Sequence, residues 1–268
     1  MFYSILFTIL TCFSFSIQAK LPLYELGLAG GGGYIFDYPA ANQGRMRYIA
    51  IPTGKYRGQI FRNDRKGTRA RFFKNEFLDI DLSFSASFPA NSENNDARKG
   101  MQDLDWLGEI GPRLNIDAFH SKKFRIEVEL PLRYVFSTDF NFTKQRGFRF
   151  YPQIDLTKYI NHRFKINLSF KMNWATEQLT DYFYEVPQAD VTQSRKRFNA
   201  KSGYVGGDIS TFFSYNQDDI FYIIGMAYRN FSNSANQNSP LFKSKENTTF
   251  FIAFNYFFFK SKKKTQHH

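Results

Sequence analysis

Charged residues recur at every second position in several segments of this chain, and that spacing decides what they can do. Asp79 and Asp81 stand two apart, as do Arg125, Glu127 and Glu129, with Arg133 on the same parity. Lys165 and Lys171 repeat the pattern, and Glu109, Arg113, Asp208 and Arg229 carry it into three further segments. A two-residue step puts side chains on one face of an extended strand. Acids and bases gathered on such a face can pair across neighbouring strands and fill the space between them, or they can line an aqueous path. Along a path, Arg113, Arg125, Arg133, Lys165 and Lys171 would favour anions.

Residue types that carry catalysis elsewhere lack their partners here. Gly30, Gly31, Gly32 and Gly33 suggest a phosphate loop, but no Gly-Lys-Ser/Thr follows and no helical period begins there. Small residues in a strand instead permit curvature or the close approach of a bulky neighbour. The four histidines are His120, His162, His267 and His268. A metal site needs several converging ligands, and a hydrolase needs a histidine beside a nucleophile. His120 and His162 fall in short turns, away from the long loops where a surface substrate would arrive. The reading is therefore a protein without catalytic, metal or cofactor sites, and not an enzyme. The net charge of +12 comes from basic residues spread along the chain without a nucleic-acid-binding motif, so no nucleic-acid partner is expected.

Period two also describes the elements that hold these residues. In Phe77–Phe88 the positions Leu78, Ile80, Leu82, Phe84, Ala86 and Phe88 alternate with Asp79, Asp81, Ser83, Ser85 and Ser87. The segments around Phe124–Phe136 and Phe164–Trp174 read the same way. Their lengths exceed the usual five or six residues of a globular strand and suit a tilted crossing of a bilayer, which takes about 9 to 11. The gaps alternate too. HSKK (120–123), INHR (160–163) and NQDD (216–219) are short, whereas 89–104, 138–146, 176–202 and 232–247 are long and polar. Strands are predicted over 24–36, 45–52, 55–62, 67–73, 77–88, 106–119, 123–137, 147–159, 163–175, 203–215, 219–231 and 249–259. Those are about twelve, or ten if one uncertain early pair is lost, an even number that leaves both ends in the periplasm.

Mean hydropathy is −0.45, and no segment after residue 20 is long and apolar enough for a spanning helix. A backbone in hydrocarbon must satisfy all its polar groups internally, so a membrane protein without spanning helices must be a closed barrel. The fold class expected is all-β: a single closed antiparallel transmembrane β-barrel with short periplasmic turns and long extracellular loops. Its outer face would meet outer-membrane lipid and lipopolysaccharide through Leu168, Phe170, Ile252, Phe254, Tyr256 and Phe258. Residues 1–19 read as a secretory signal, 20–259 as the barrel and 260–268 as a basic periplasmic tail. The only cysteine, Cys12, would leave with the signal. FFIAFNYFFF (250–259), an aggregation hazard in water, is reasonable as a last barrel strand. Aromatic-rich final strands are what the barrel-assembly machinery engages during folding. The long loops 89–104 and 176–202 are read as solvated, with binding of a ligand or a host surface as the alternative.

Several stretches together resemble the MltA-interacting protein (MipA/OmpV) family of outer-membrane proteins. ELGLAGGGGYIFDYP (25–39) is similar to the family's glycine-rich first strand, GKYRGQIFRNDRKGTRARFF (54–73) to its basic hairpin, and LGEIGPRLNI (107–116) to its E-x-G-P strand. GYVGGDISTFFSYN, the strand ending AYRNFSNSA, SPLF (239–242) and the final strand complete the match. The Lys-rich tail departs from the pattern. The resemblance implies an integral protein of the outer membrane of a Gram-negative bacterium. It implies a scaffold that joins a murein lytic transglycosylase to a murein synthase at the peptidoglycan. A narrow porin for small, anionic solutes is the alternative, and a surface adhesin the third. A monomer is expected.

Overall fold

The computed structural model describes residues 21–58, 61–64, 67–75 and 77–265. The expected signal over 1–19, Cys12, His267 and His268 lie outside the described residues. The period-two segments form β1 (Tyr24–Phe36), β2 (Gly44–Arg57), β3 (Phe61–Asp64), β4 (Gly67–Lys74), β5 (Leu78–Ser87), β6 (Trp106–His120), β7 (Phe124–Thr138), β8 (Thr143–Phe150), β9 (Gln153–Tyr159), β10 (Phe164–Ala175), β11 (Gly203–Gln217), β12 (Ile220–Asn230) and β13 (Glu246–Lys260). One α-helix, α1 (Glu177–Tyr184), lies between β10 and β11.

Every strand is antiparallel to its neighbours, and the ladder returns on itself. β13 pairs with β1, the order continues through β2 to β7, and β10 pairs with β11 to complete the ring. β8 and β9 are two halves of one stave, each paired with both β7 and β10. The break falls at Tyr151-Pro152, where proline supplies no N–H to the ladder. Among the described residues the ring therefore has twelve staves, the even number that leaves the start of β1 and the end of β13 at the same, periplasmic, end.

Two boundaries and the state of the long loops differ from the sequence reading. The break expected between the strands 45–52 and 55–62 does not exist: β2 runs straight through Pro52-Thr53-Gly54, with Pro52 opposite Leu28 and Lys55 opposite Glu25. Among the described residues β2 pairs with β3 only at Tyr56 and Arg57, so Pro52 sits on a one-sided stretch where a missing donor is tolerated. The loop expected at 138–146 shrinks to 139–142. Asp139 Oδ1 accepts the backbone N–H groups of Asn141 and Phe142 at 2.9 and 2.8 Å, which turns the chain at once. The loops read as solvated are instead packed on one another over the extracellular mouth.

The inner and outer faces follow the pleat. On β13 the odd residues from Asn247 to Phe257 point in, and Phe250, Ile252, Phe254, Tyr256 and Phe258 point out. Aromatic residues gather near both ends of the outer face, with Tyr24 stacked on Phe259 at one end and Trp174 against Tyr204 at the other. Such girdles mark the bilayer interfaces of outer-membrane barrels. The glycine run of β1 makes room for two of these rings. A Cβ on Gly30 would fall 2.9 Å from the Phe254 ring, and one on Gly32 would fall 2.5 Å from the Tyr48 ring. The tail does not leave the barrel at once: Ser261 N–H donates to the Tyr24 carbonyl and Thr265 N–H to the Leu21 carbonyl, both at 2.9 Å. Ser261 and Thr265 are buried there, while Lys262, Lys263 and Lys264 are exposed.

Candidate functional site: a charged lumen under a packed cap

The cap is built where long polar loops carry a few large apolar residues. Tyr38, Ala40, Ala41, Ala90, Leu104, Tyr184, Val186, Ala200, Phe231 and Leu241 form one buried cluster drawn from four loops. Burial of these side chains removes apolar surface from water, and the backbone groups that go with them are satisfied. Tyr184 Oη donates to the Pro39 carbonyl at 3.1 Å, Tyr38 Oη to the Leu241 carbonyl at 2.8 Å and Ser239 Oγ to the Tyr184 carbonyl at 2.7 Å. Two buried arginines staple the loops further. Arg98 donates to the Gln102 and Phe183 carbonyls, and Arg195 to those of Ala97, Lys99 and Asp190. Burial shifts several cap groups: it raises the Tyr184 and Tyr38 phenols, pushes the Tyr182 phenol up to about 12 and lowers Arg98. The Asp181 carboxyl on α1 rises to about 6, through burial first and then through Glu185, just past the end of the helix, and Glu177 in its first turn.

Below the cap, the inner face carries ion pairs in tiers. In the lower tier Asp81 is fully buried and takes Arg113 through two bonds, Nε at 3.1 Å and Nη2 at 2.9 Å. Arg113 Nη1 reaches Glu129 at 3.2 Å, and Asn115 also donates to Asp81. Asp79 holds Arg71 by two bonds of 3.1 and 2.9 Å. Arg125 bridges Asp117 at 2.6 Å and Glu127 at 3.1 Å. Lys165 is half-buried on the same face of β10. Near the periplasmic end Glu25 pairs with Arg57 and Lys55, and Lys55 Nζ lies 3.7 Å from the centre of the Phe257 ring.

The upper tier faces a cavity of about 480 Å³ between the inner wall and the cap. Lys171, Asp208 and Arg229 are direct cross-strand partners on β10, β11 and β12, and Asp208 receives Lys171 at 3.6 Å and Arg229 at 3.8 Å. Glu109 receives Arg149 at 2.9 Å, and Arg149 also donates to Asn173 at 2.6 Å. Arg133 bonds carbonyls rather than carboxylates: Ser83 at 2.8 Å and Gly111 at 2.9 Å, with Tyr151 Oη at 3.1 Å. The Tyr151 ring lies 4.9 Å from Arg149, 5.2 Å from Lys171 and 5.8 Å from Arg133.

The twelve charged positions singled out by parity thus fall into two groups. Asp79, Asp81, Arg113, Arg125, Glu127, Glu129 and Lys165 belong to the lower tier, and Glu109, Arg133, Lys171, Asp208 and Arg229 to the upper. On the outer face Phe170, Ile252, Phe254, Tyr256 and Phe258 are exposed and Leu168 is half-buried. Sequence reasoning did not find Arg149 and Tyr151. They lie on the stave where a bulge and Pro152 disrupt the alternation, and Arg149-Phe150-Tyr151 was the remaining trace of it. Among the described residues no group of three His, Cys, Asp or Glu side chains could hold a metal ion, and no helix is long and apolar enough to cross a membrane.

Three outer-membrane proteins of known structure are similar to this chain. The NanC porin is similar over 85% of this chain and 98% of its own, at 11% identity and a TM-score of 0.42. An outer-membrane channel from Pseudomonas putida F1 is similar over 90% and 98%, at 9% identity and 0.45. The outer-membrane channel DcaP of Acinetobacter baumannii is similar over 88% and 97%, at 11% identity and 0.34. TM-scores this low leave the identification to a family match rather than to these likenesses. A search of curated proteins returned no significant match. The family model described as MltA-interacting protein MipA matches residues 28–258, from the glycine-rich first strand to the end of the aromatic last one. This chain belongs to the MltA-interacting protein MipA family and is an integral β-barrel protein of the outer membrane.

Proposed function

We propose that the protein acts without chemistry, as a capped outer-membrane barrel that holds a murein lytic transglycosylase at the periplasmic face, next to the peptidoglycan. The family's description as MltA-interacting supports a murein enzyme as partner. The observation that carries the reading is the cap: four loops share one buried apolar cluster over the extracellular mouth. A mouth closed by a packed core leaves the periplasmic end as the surface on which the barrel can act. Among the described residues that end offers the turns 121–123, 160–163 and 218–219, together with the exposed Lys262, Lys263 and Lys264. Photo-crosslinkers at Lys122, His162 and Lys263 in intact envelopes test the proposal. Capture of a lytic transglycosylase at these positions, and not from a crosslinker at Asn238 in the cap, is the expected outcome. Equal capture from both ends, or from neither, overturns it.

A second reading, a narrow pore for small anions, is favoured by the cavity and its cationic wall. It requires the cap to open, and conductance separates it from the scaffold.

A further inference from the structure

On the inner wall of the cavity beneath the cap, three cationic side chains face two carboxylates. Arg149, Lys171 and Arg229 line this wall against Glu109 and Asp208, while Arg47 pairs with Asp37 at 3.3 Å and Asp105 completes the charged lining. Asp37 is already taken through both oxygens by Arg45, at 2.9 and 2.7 Å. Asp105 stands on the cap side, beside the Tyr182 hydroxyl. Arg133 is satisfied by carbonyls, which cancel no charge.

Two of these three cationic heads, Lys171 and Arg229, are also loosely held. In the lower tier the Arg113 side chain is 8% accessible and bridges two carboxylates. In the upper tier Arg149, Lys171 and Arg229 keep 30%, 28% and 40% of their side chains accessible although they lie on the inner wall. The contacts of Lys171 and Arg229 with Asp208, at 3.6 and 3.8 Å, exceed the roughly 2.7–2.9 Å of a charge-assisted hydrogen bond. Arg47, which also lines the cavity, pairs with Asp37 through Nη2 but keeps its Nε buried without a hydrogen-bond partner, a costly state that an acceptor would relieve. The volume lies within the range of small-molecule pockets, roughly 300–1,000 Å³. Phe36, Tyr151, Tyr182 and Phe183 supply ring surface.

We propose that this cavity binds a small organic anion, its carboxylate or phosphate head on Arg149, Lys171 and Arg229 and its ring body against Tyr151 and Tyr182. The proposal is independent of the scaffold reading. Isothermal titration of the full chain in detergent micelles tests it, with glucuronate and glucose 6-phosphate as anionic probes and glucose as the neutral one. Both anions should bind with Kd at or below about 1 mM, and glucose at least about tenfold more weakly, since charge-assisted bonds are the stronger ones. The preferred anion identifies the head group. The double variant Lys171→Gln, Arg229→Gln should weaken anion binding about tenfold or more. Asp208→Asn, which removes a competing carboxylate, should tighten it, an effect that misfolding cannot imitate. The exposed pair Lys262→Gln, Lys263→Gln should leave it unchanged. Glucose binding as tightly as the anions, the tail pair losing as much as the cavity pair, or Asp208→Asn failing to tighten binding would each overturn the assignment.

Discussion

Replacing Tyr184 by alanine should open the cap while leaving the barrel wall intact. The ring has no exposed surface and lies against Phe183 and Phe242, so its removal leaves a cavity in the middle of the cluster. An aromatic-to-alanine change in a packed core costs about 3–5 kcal/mol. The lost bond from Tyr184 Oη to the Pro39 carbonyl adds about 1 kcal/mol. At 1.4 kcal/mol per decade, a total of about 4–6 kcal/mol raises the open population of the cap about a thousandfold or more. The cluster is local, so the cost should fall on local opening and not on the strand ladder. Hydrogen exchange of the micelle-bound protein reads this directly. The Val186 and Phe198 amides, which bond each other's carbonyls, and the Lys243 amide, which bonds the Ala40 carbonyl, should lose protection. Amides along β10 and β11 should keep theirs. Tyr184→Phe preserves the ring and should cost only about 1 kcal/mol. Unchanged protection in Tyr184→Ala, or equal loss in cap and strands, would refute the reasoning.

Three further outcomes are expected. Leu168→Arg, on the outer face of β10, should destabilise the barrel by about 2–4 kcal/mol in lipid-bilayer refolding titrations, whereas Lys171→Gln on the inner face should be much milder. Gly111→Ala should cost about 1–3 kcal/mol, because its Cβ would fall 1.9 Å from the Leu132 carbonyl oxygen and only the backbone can yield; trimming Leu132 to alanine should not restore heat resistance. Asp181 has a folded-state pKa raised to about 6, so its protonated form favours the folded cap. Its contribution is present at about pH 4 and is lost as pH rises through 6. Asp181→Asn should therefore protect the cap from exchange better than the wild type at pH 7.5, with little difference near pH 4.

The barrel was legible because one physical rule governs most of its length. Phe124–Phe136, Phe164–Trp174 and the aromatic last strand each alternate in sequence, and burial follows that alternation over Pro131–Ser137, Asn167–Asn173 and Asn247–Phe257. Parity fails where a local residue overrides it. Pro52-Thr53-Gly54 reads as a turn, yet thirteen residues of β1 pair along β2 and hold it extended. Pro152 and the bulge before it hid Arg149 and Tyr151. The cap was invisible for another reason. TEQLTDYFYEV is polar enough to pass for loop, and Tyr184 is buried by partners such as Pro39 and Leu241, far away in the chain. Aromatic crowding in DYFYEV and the SPLF segment carried the only trace of it.

Single-channel recording of the purified full chain in planar bilayers tests the capped barrel most directly. The account predicts insertion without stable conductance steps, because packed loops close the extracellular mouth. Long-lived open steps from the wild-type protein would contradict it.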